Sequence, residues 1–189
     1  RARCITAALG LMMLAAIFWM GRMLGDLRLA ALAALAVGST LFFQRQSRTA
    51  SYDIHFVAWT TLAVASGLWA MRPFGLPASP ARQVIGWGLC AVALFAAVMS
   101  KNPLPYLLAL PPLIAAIVMV GRPGSRRADC MGLIVAVLLS AAPVALWYWH
   151  VFEAYPEMAE RALGREVRQP RAGDFQPVYY YFGLLGLVF

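Results

Sequence analysis

Asp53, Lys101 and the stretch His150–Pro177 hold the side chains in this sequence best suited to chemistry, and each interrupts an otherwise apolar chain. Asp53 closes the polar run Arg45–Asp53 and opens an apolar one. An aspartate there is expected to cap a helix, accepting backbone N–H bonds at the positive end of its dipole. The same carboxylate, five residues after Arg48, is also placed to hold a cation or a sugar hydroxyl, and the two roles are compatible. Lys101 is the only lysine, in Ser100-Lys101-Asn102-Pro103-Leu104-Pro105, where two prolines stiffen a turn. A lone lysine at such a turn reads as a snorkelling interfacial residue. Its compact ammonium equally suits a phosphate, which it meets as a point charge.

The stretch His150–Pro177 packs five acids and four arginines into 28 residues, between Trp147-Tyr148-Trp149 and Tyr179-Tyr180-Tyr181. The aromatic clusters read as interfacial belts flanking a short surface helix. They leave the charge density between them unexplained. Glu157 and Arg161 are spaced i, i+4, a helix-supporting pair, and Arg165, Glu166 and Arg168 cluster just before Pro170. His55 lies two residues past Asp53, so a helix turns it away, and His150 reads as an interfacial residue after the first belt.

The elements that must position these groups are apolar helices. The chain is 62% apolar and 13% charged, whereas soluble domains are about 25% charged. Its mean hydropathy is +0.70. Seven runs are read as spans: Cys4–Gly21, Leu29–Phe43, Ile54–Met71, Gln83–Met99, Leu104–Val120, Cys130–Trp149 and Val178–Phe189. They are too long and continuous for barrel strands. The expected fold is therefore all-α, a polytopic transmembrane helical bundle of about seven spans within one domain over residues 1–189. Residues 150–177 are expected to form an external loop carrying a short helix. With no initiator methionine and an apolar run at the far end, the sequence reads as an internal piece of a larger protein.

Cys4, Cys90 and Cys130 have neither metal nor disulfide spacing and read as small apolar residues. The formal charge of +8 is scattered over short loops, with no basic patch interleaved with aromatics. That disfavours nucleic acid and fits anionic lipid headgroups. One set of loops holds Arg22, Arg28, Arg72, Arg82, Arg122, Arg126 and Arg127; the other, its long member aside, holds five basic residues. The bias places the first set in the cytoplasm, and Asp53, Lys101 and His150–Pro177 outside.

These residues, in their order, resemble the polyprenyl-phosphate-sugar glycosyltransferases of the GT-C superfamily, family 39. That family includes the protein O-mannosyltransferases and the lipid A aminoarabinose transferases. Arg48-Thr-Ala-Ser-Tyr-Asp53 is similar to its "R-x-x-x-x-D" helix entrance, and Ser100-Lys101-Asn102-Pro103 to its "T-K-G-P" turn. Trp147-Tyr148, Tyr155-Pro156, Arg165-Glu166 and Pro177-Val178-Tyr179-Tyr180 resemble its external loop, so the likeness runs from Arg48 to Tyr180. Asn102 stands in place of glycine, Leu146 in place of proline, and Asp174 in place of a histidine often found three residues before the proline. The family's acidic pair in its first external loop, where the catalytic carboxylate is expected, is missing from this sequence.

The resemblance implies transfer of a sugar from a polyprenyl-phosphate donor to a lipid, protein or glycan acceptor at the outer face of a bacterial inner membrane. It implies that Lys101, Arg48, Arg165 and Arg168 bind the donor phosphate, with Tyr179 and Tyr180 along the lipid-side wall. Asp53 would orient the sugar or a bound cation; Glu166 would orient the arginines or equally form a surface ion pair worth little. A divalent metal ion stays open; Asp174 would ligate it only if the ion prefers oxygen. The rival reading is a transporter or flippase for an anionic lipid-linked substrate. Such carriers often pair a Gly/Pro-broken span with a midspan charge, and none is expected here. A non-catalytic membrane scaffold is the third reading.

Overall fold

The computed structural model describes residues 2–48, 52–71, 79–100, 104–119 and 125–156. Seven helices account for nearly all of them: α1 (Ala2–Leu24), α2 (Leu27–Ser39), α3 (Leu41–Arg48), α4 (Tyr52–Met71), α5 (Pro80–Ser100), α6 (Leu104–Met119) and α7 (Arg126–Ala154). The all-helical bundle is as expected. In lipid every backbone N–H and C=O needs an internal partner, and helices supply it. Among the described residues, four helices are long and apolar enough to cross a membrane: Cys4–Leu24, Asp53–Met71, Pro80–Ser100 and Arg126–Ala154. Exposed Leu11, Leu32, Leu35, Val92, Leu107, Leu138 and Leu139 cover the outside of the bundle with apolar surface, as contact with lipid requires. The run Val178–Phe189 lies outside the described residues.

The chain divides into two compact units, Arg1–Val144 and Ala145–Phe189. In the first, small residues let helices approach closely where lipid gives no hydrophobic drive to associate. A Cβ on Gly86 of α5 would lie 2.7 Å from Ala70 Cβ and 2.9 Å from Ala70 Cα of α4. Farther along the same antiparallel pair, Ser66 and Cys90 are fully buried. Trp87 packs over Gly67 of α4 and lies so close to Gly132 of α7 that a Cβ there would fall within the indole. Hydroxyls inside α4 bond within the helix: Thr60 donates to the Phe56 carbonyl (2.7 Å), Thr61 to Val57 (2.8 Å) and Ser66 to Leu62 (2.8 Å).

Two expected boundaries change. The second span is a broken one. α2 has 13 residues, about 20 Å, too short for a hydrocarbon core of about 30 Å. After Thr40 the chain continues as α3, and together they return antiparallel along α1. Gly21 abuts Ala30, Gly38 faces Leu14, and Gly10 meets Phe43 and Ser47. The apolar part of α2 and α3, residues 27–43, covers about 25 Å, the lower limit for a crossing, and polar Gln44, Arg45 and Gln46 follow it. In addition, His150–Ala154 belongs to helix α7 and not to a loop.

In the second unit the described residues finish α7. Trp147 and Tyr148 meet edge to face at 5.1 Å, and Tyr148 stacks tilted on Phe152 at 5.8 Å. His150 lies 3.9 Å from Glu153, both well exposed, so the contact adds little.

The Gly86 contact gives a paired test. Gly86→Ala overpacks α4 against α5 and costs about 1–3 kcal/mol. Gly88, whose Cβ would meet nothing within 4 Å, tolerates alanine. Thermal unfolding in detergent should show a lowered midpoint for Gly86→Ala and none for Gly88→Ala.

Candidate functional site

The break between α2 and α3 is made by one side chain. Thr40 has extended backbone angles (φ −66°, ψ 135°) and ends α2, its N–H donating to the Val37 carbonyl at 3.1 Å. Its hydroxyl donates to the same carbonyl at 2.8 Å and accepts from the Phe43 N–H at 3.2 Å. Thr40 thus caps the end of one helix and the start of the next. The sequence reads Leu29–Phe43 as one short span, and Gly38-Ser39-Thr40 holds no proline to mark the break.

Beside this break lies a cavity of about 80 Å³ between α1, α2, α3 and α4. Met13, Val37, Phe43, Ile54 and Val57 form its walls, and Thr40, Gln46 and Asp53 contribute to its lining. Its surface is almost wholly apolar. Ligand pockets commonly run from about 300 Å³, so a sugar ring does not fit inside it. Asp53 is half-buried, the second residue of α4 and so within the first turn, not at the cap position. The helix dipole still favours its negative charge there. Arg48 ends α3, close in sequence to Asp53, and Arg45 is exposed on the same short helix.

The antiparallel α4–α5 pairing puts Ser100, the last residue of α5, at the end of the bundle where Asp53 lies in the first turn of α4. Lys101, Arg165, Glu166, Arg168, Asp174, Tyr179 and Tyr180 lie outside the described residues. Among the described residues, no group of three His, Cys, Asp or Glu side chains could hold a metal ion.

At the opposite end the structure assembles polar contacts that sequence reasoning treated only as loop charges. Asp129, in the first turn of α7, is fully buried, and Gln83 Nε2 of α5 donates to its Oδ1 at 3.4 Å. Arg82 Nε donates to the Trp69 carbonyl at 3.1 Å, and its guanidinium lies 5.2 Å from the Trp69 ring centre. Trp69 in turn packs on Trp19 at 5.5 Å, joining α1, α4 and α5. Arg126 Nη2 donates to the Val118 carbonyl at 2.9 Å near the end of α6. Between the two ends, the Tyr106 and Ser140 hydroxyls bond at 3.0 Å, tying α6 to α7. The i, i+4 spacing of Gln83 and Trp87, facing Asp129 and Gly132, was the available signal for the α5–α7 contact.

Comparison with known protein families, curated proteins and solved structures found no match to this chain.

The double cap at Thr40 predicts that Thr40→Ala lowers stability by about 1 kcal/mol while Thr40→Ser keeps it. Thermal unfolding of the two variants in one detergent reads the difference.

Proposed function

We propose that this protein is a membrane glycosyltransferase. It would move a sugar from a polyprenyl-phosphate carrier to a lipid, protein or glycan acceptor at the outer face of a bacterial inner membrane. The observation that carries the reading is Asp53 at the start of α4, half-buried in the lining of the apolar cavity. An amphiphilic donor needs that combination of polar rim and apolar interior. The likeness of Arg48–Asp53, Ser100–Pro103 and the Trp147–Tyr180 stretch to family 39 supports the same reading.

The chemistry is substitution at the anomeric carbon, with phosphate leaving. Positive charge develops on the sugar and negative charge on the departing phosphate, so a cation at that phosphate lowers the barrier. Lys101 takes that role, with Arg48, Arg165 and Arg168 completing the phosphate site. Asp53 orients the sugar or a bound cation, Glu166 orients the arginines, and Tyr179 and Tyr180 wall the donor from lipid. The acceptor's proton must pass to a general base, a role assigned to no residue of this sequence. If a divalent ion takes part, Asp174 is the residue offered to it.

A second reading, a transporter or flippase of an anionic lipid-linked substrate, gains support from the α2–α3 break. Discontinuous membrane helices build substrate sites in carriers. Transfer of radiolabelled sugar from a polyprenyl-phosphate donor, in membranes holding the full-length protein, separates the two. Wild type should yield labelled product, and Lys101→Ala should lose about 10²–10³-fold in rate, the scale of one electrostatic contact to a developing charge. Movement of the donor across proteoliposomes with no labelled product would establish the transporter instead.

A further inference from the structure

We propose that the groove between α1 and α2 seats one anionic phospholipid, its acyl chain along the groove and its phosphate at Arg22 and Arg28. The inference does not depend on the glycosyltransferase reading. Its charged mouth is the α1–α2 turn, at the Trp19–Trp69 end of the bundle and away from Asp53. The two helices approach closely where Gly21 abuts Ala30 and again where Gly38 faces Leu14. Alongside these contacts they leave an open groove of about 650 Å³, lined by Leu14 and Phe18 of α1 and by Ala31, Ala34, Leu35 and Gly38 of α2. Its surface is mostly apolar. Ala31 and Ala34 are half-buried while Phe18 and Leu35 stand exposed, so short side chains leave a hollow between longer ones.

Length, size and charge narrow the occupant. From Arg28 to Ser39 the helix α2 rises about 16 Å, roughly half of a hydrocarbon core of about 30 Å, so the groove is one leaflet deep. Ligand sites commonly measure about 300–1,000 Å³, and the groove falls within that range. Arg22 comes one turn after Phe18, and Arg28 shares a helical face with Leu35 at i, i+7. Both arginines are exposed where those two stripes reach the end of the bundle. The acid beside them is Asp26, whose Oδ1 caps α2 by accepting the Leu29 N–H at 2.8 Å. Two arginines against one aspartate leave this turn net positive. Guanidinium groups meet phosphate oxygens through paired N–H bonds, and basic residues at a membrane surface attract anionic lipid. A zwitterionic lipid would bring its own cation to the same arginines. A second copy of this chain fits less well. Copies inserted the same way pair about an axis along the membrane normal, which brings residues of equal depth together. Arg22 and Arg28 would then face their own counterparts across the groove, and like charges repel.

The test uses full-length protein in proteoliposomes containing a trace of phosphatidylglycerol with a photoreactive diazirine midway along one acyl chain. A parallel sample carries phosphatidylcholine modified in the same way, and crosslinked residues are read by mass spectrometry. Phosphatidylglycerol should label Phe18 and Leu35 about tenfold more than phosphatidylcholine, the scale expected of two arginines at a membrane surface opposed by one aspartate. At Val92, exposed on α5, the two lipids should label equally. Arg22→Gln combined with Arg28→Gln should lower groove labelling to the phosphatidylcholine level, whereas the same pair changed to lysine keeps most of it. Thermal unfolding checks that each variant is folded. Equal labelling of the groove by the two lipids in wild-type protein would overturn the proposal without reference to any variant. So would a preference for phosphatidylglycerol that survives the double glutamine change. Groove residues labelled by neither lipid, in a protein that is dimeric by native mass spectrometry, would give the groove to a second copy and overturn it too.

Discussion

The close approach of α4 and α5 is the contact on which the first unit depends. In lipid there is little hydrophobic gain in bringing helices together, so association rests on packing and interhelical polar contacts. Gly86 against Ala70 lets two backbones come near enough for Ser66, Gly67, Trp87 and Cys90 to interlock. α6 then packs into the same core through Leu113, and α7 through Leu133 and Ala136. A longer side chain at Gly86 or Gly132 would push apart helices that have no other means of closing the gap.

Around that core the polar groups sort by end. One end is fastened by Arg82 on Trp69, by Arg126 on the α6 carbonyl of Val118, and by Gln83 on buried Asp129. These contacts fix helices to each other. The other end, where α3 stops and α4 begins, has an apolar cavity and a half-buried carboxylate. The α2–α3 break lies at that end, and Val37, Thr40 and Phe43 around it line the cavity.

Much of the fold was legible because apolar run length leaves few options in a membrane. The runs read at Cys4–Gly21, Ile54–Met71 and Gln83–Met99 correspond to α1, α4 and α5 within a few residues. The break at Thr40 was not legible. Threonine and glycine are tolerated in membrane helices, and only the hydroxyl's bonds to Val37 and Phe43 show that it ends one helix and starts another. Asp129 was legible as a charge but not as a buried one, because burial depends on Gln83 arriving from another helix. Asp53 was legible as a helix-start residue, though two places off, since a cap and a first-turn acid share the same preference for the dipole.

The central structural claim is that α2 and α3 together cross the membrane, so that Asp53 and the end of α5 share one face opposite Arg28 and Ser79. Single cysteines at Arg28, Gln44, Ser79 and Ser100, in a background lacking Cys4, Cys90 and Cys130, test it with a membrane-impermeant maleimide on intact cells. The account predicts that Gln44→Cys and Ser100→Cys label from outside, whereas Arg28→Cys and Ser79→Cys label only after permeabilisation. Labelling of Arg28→Cys and Gln44→Cys from the same side would contradict it, because α2–α3 would then turn back without crossing.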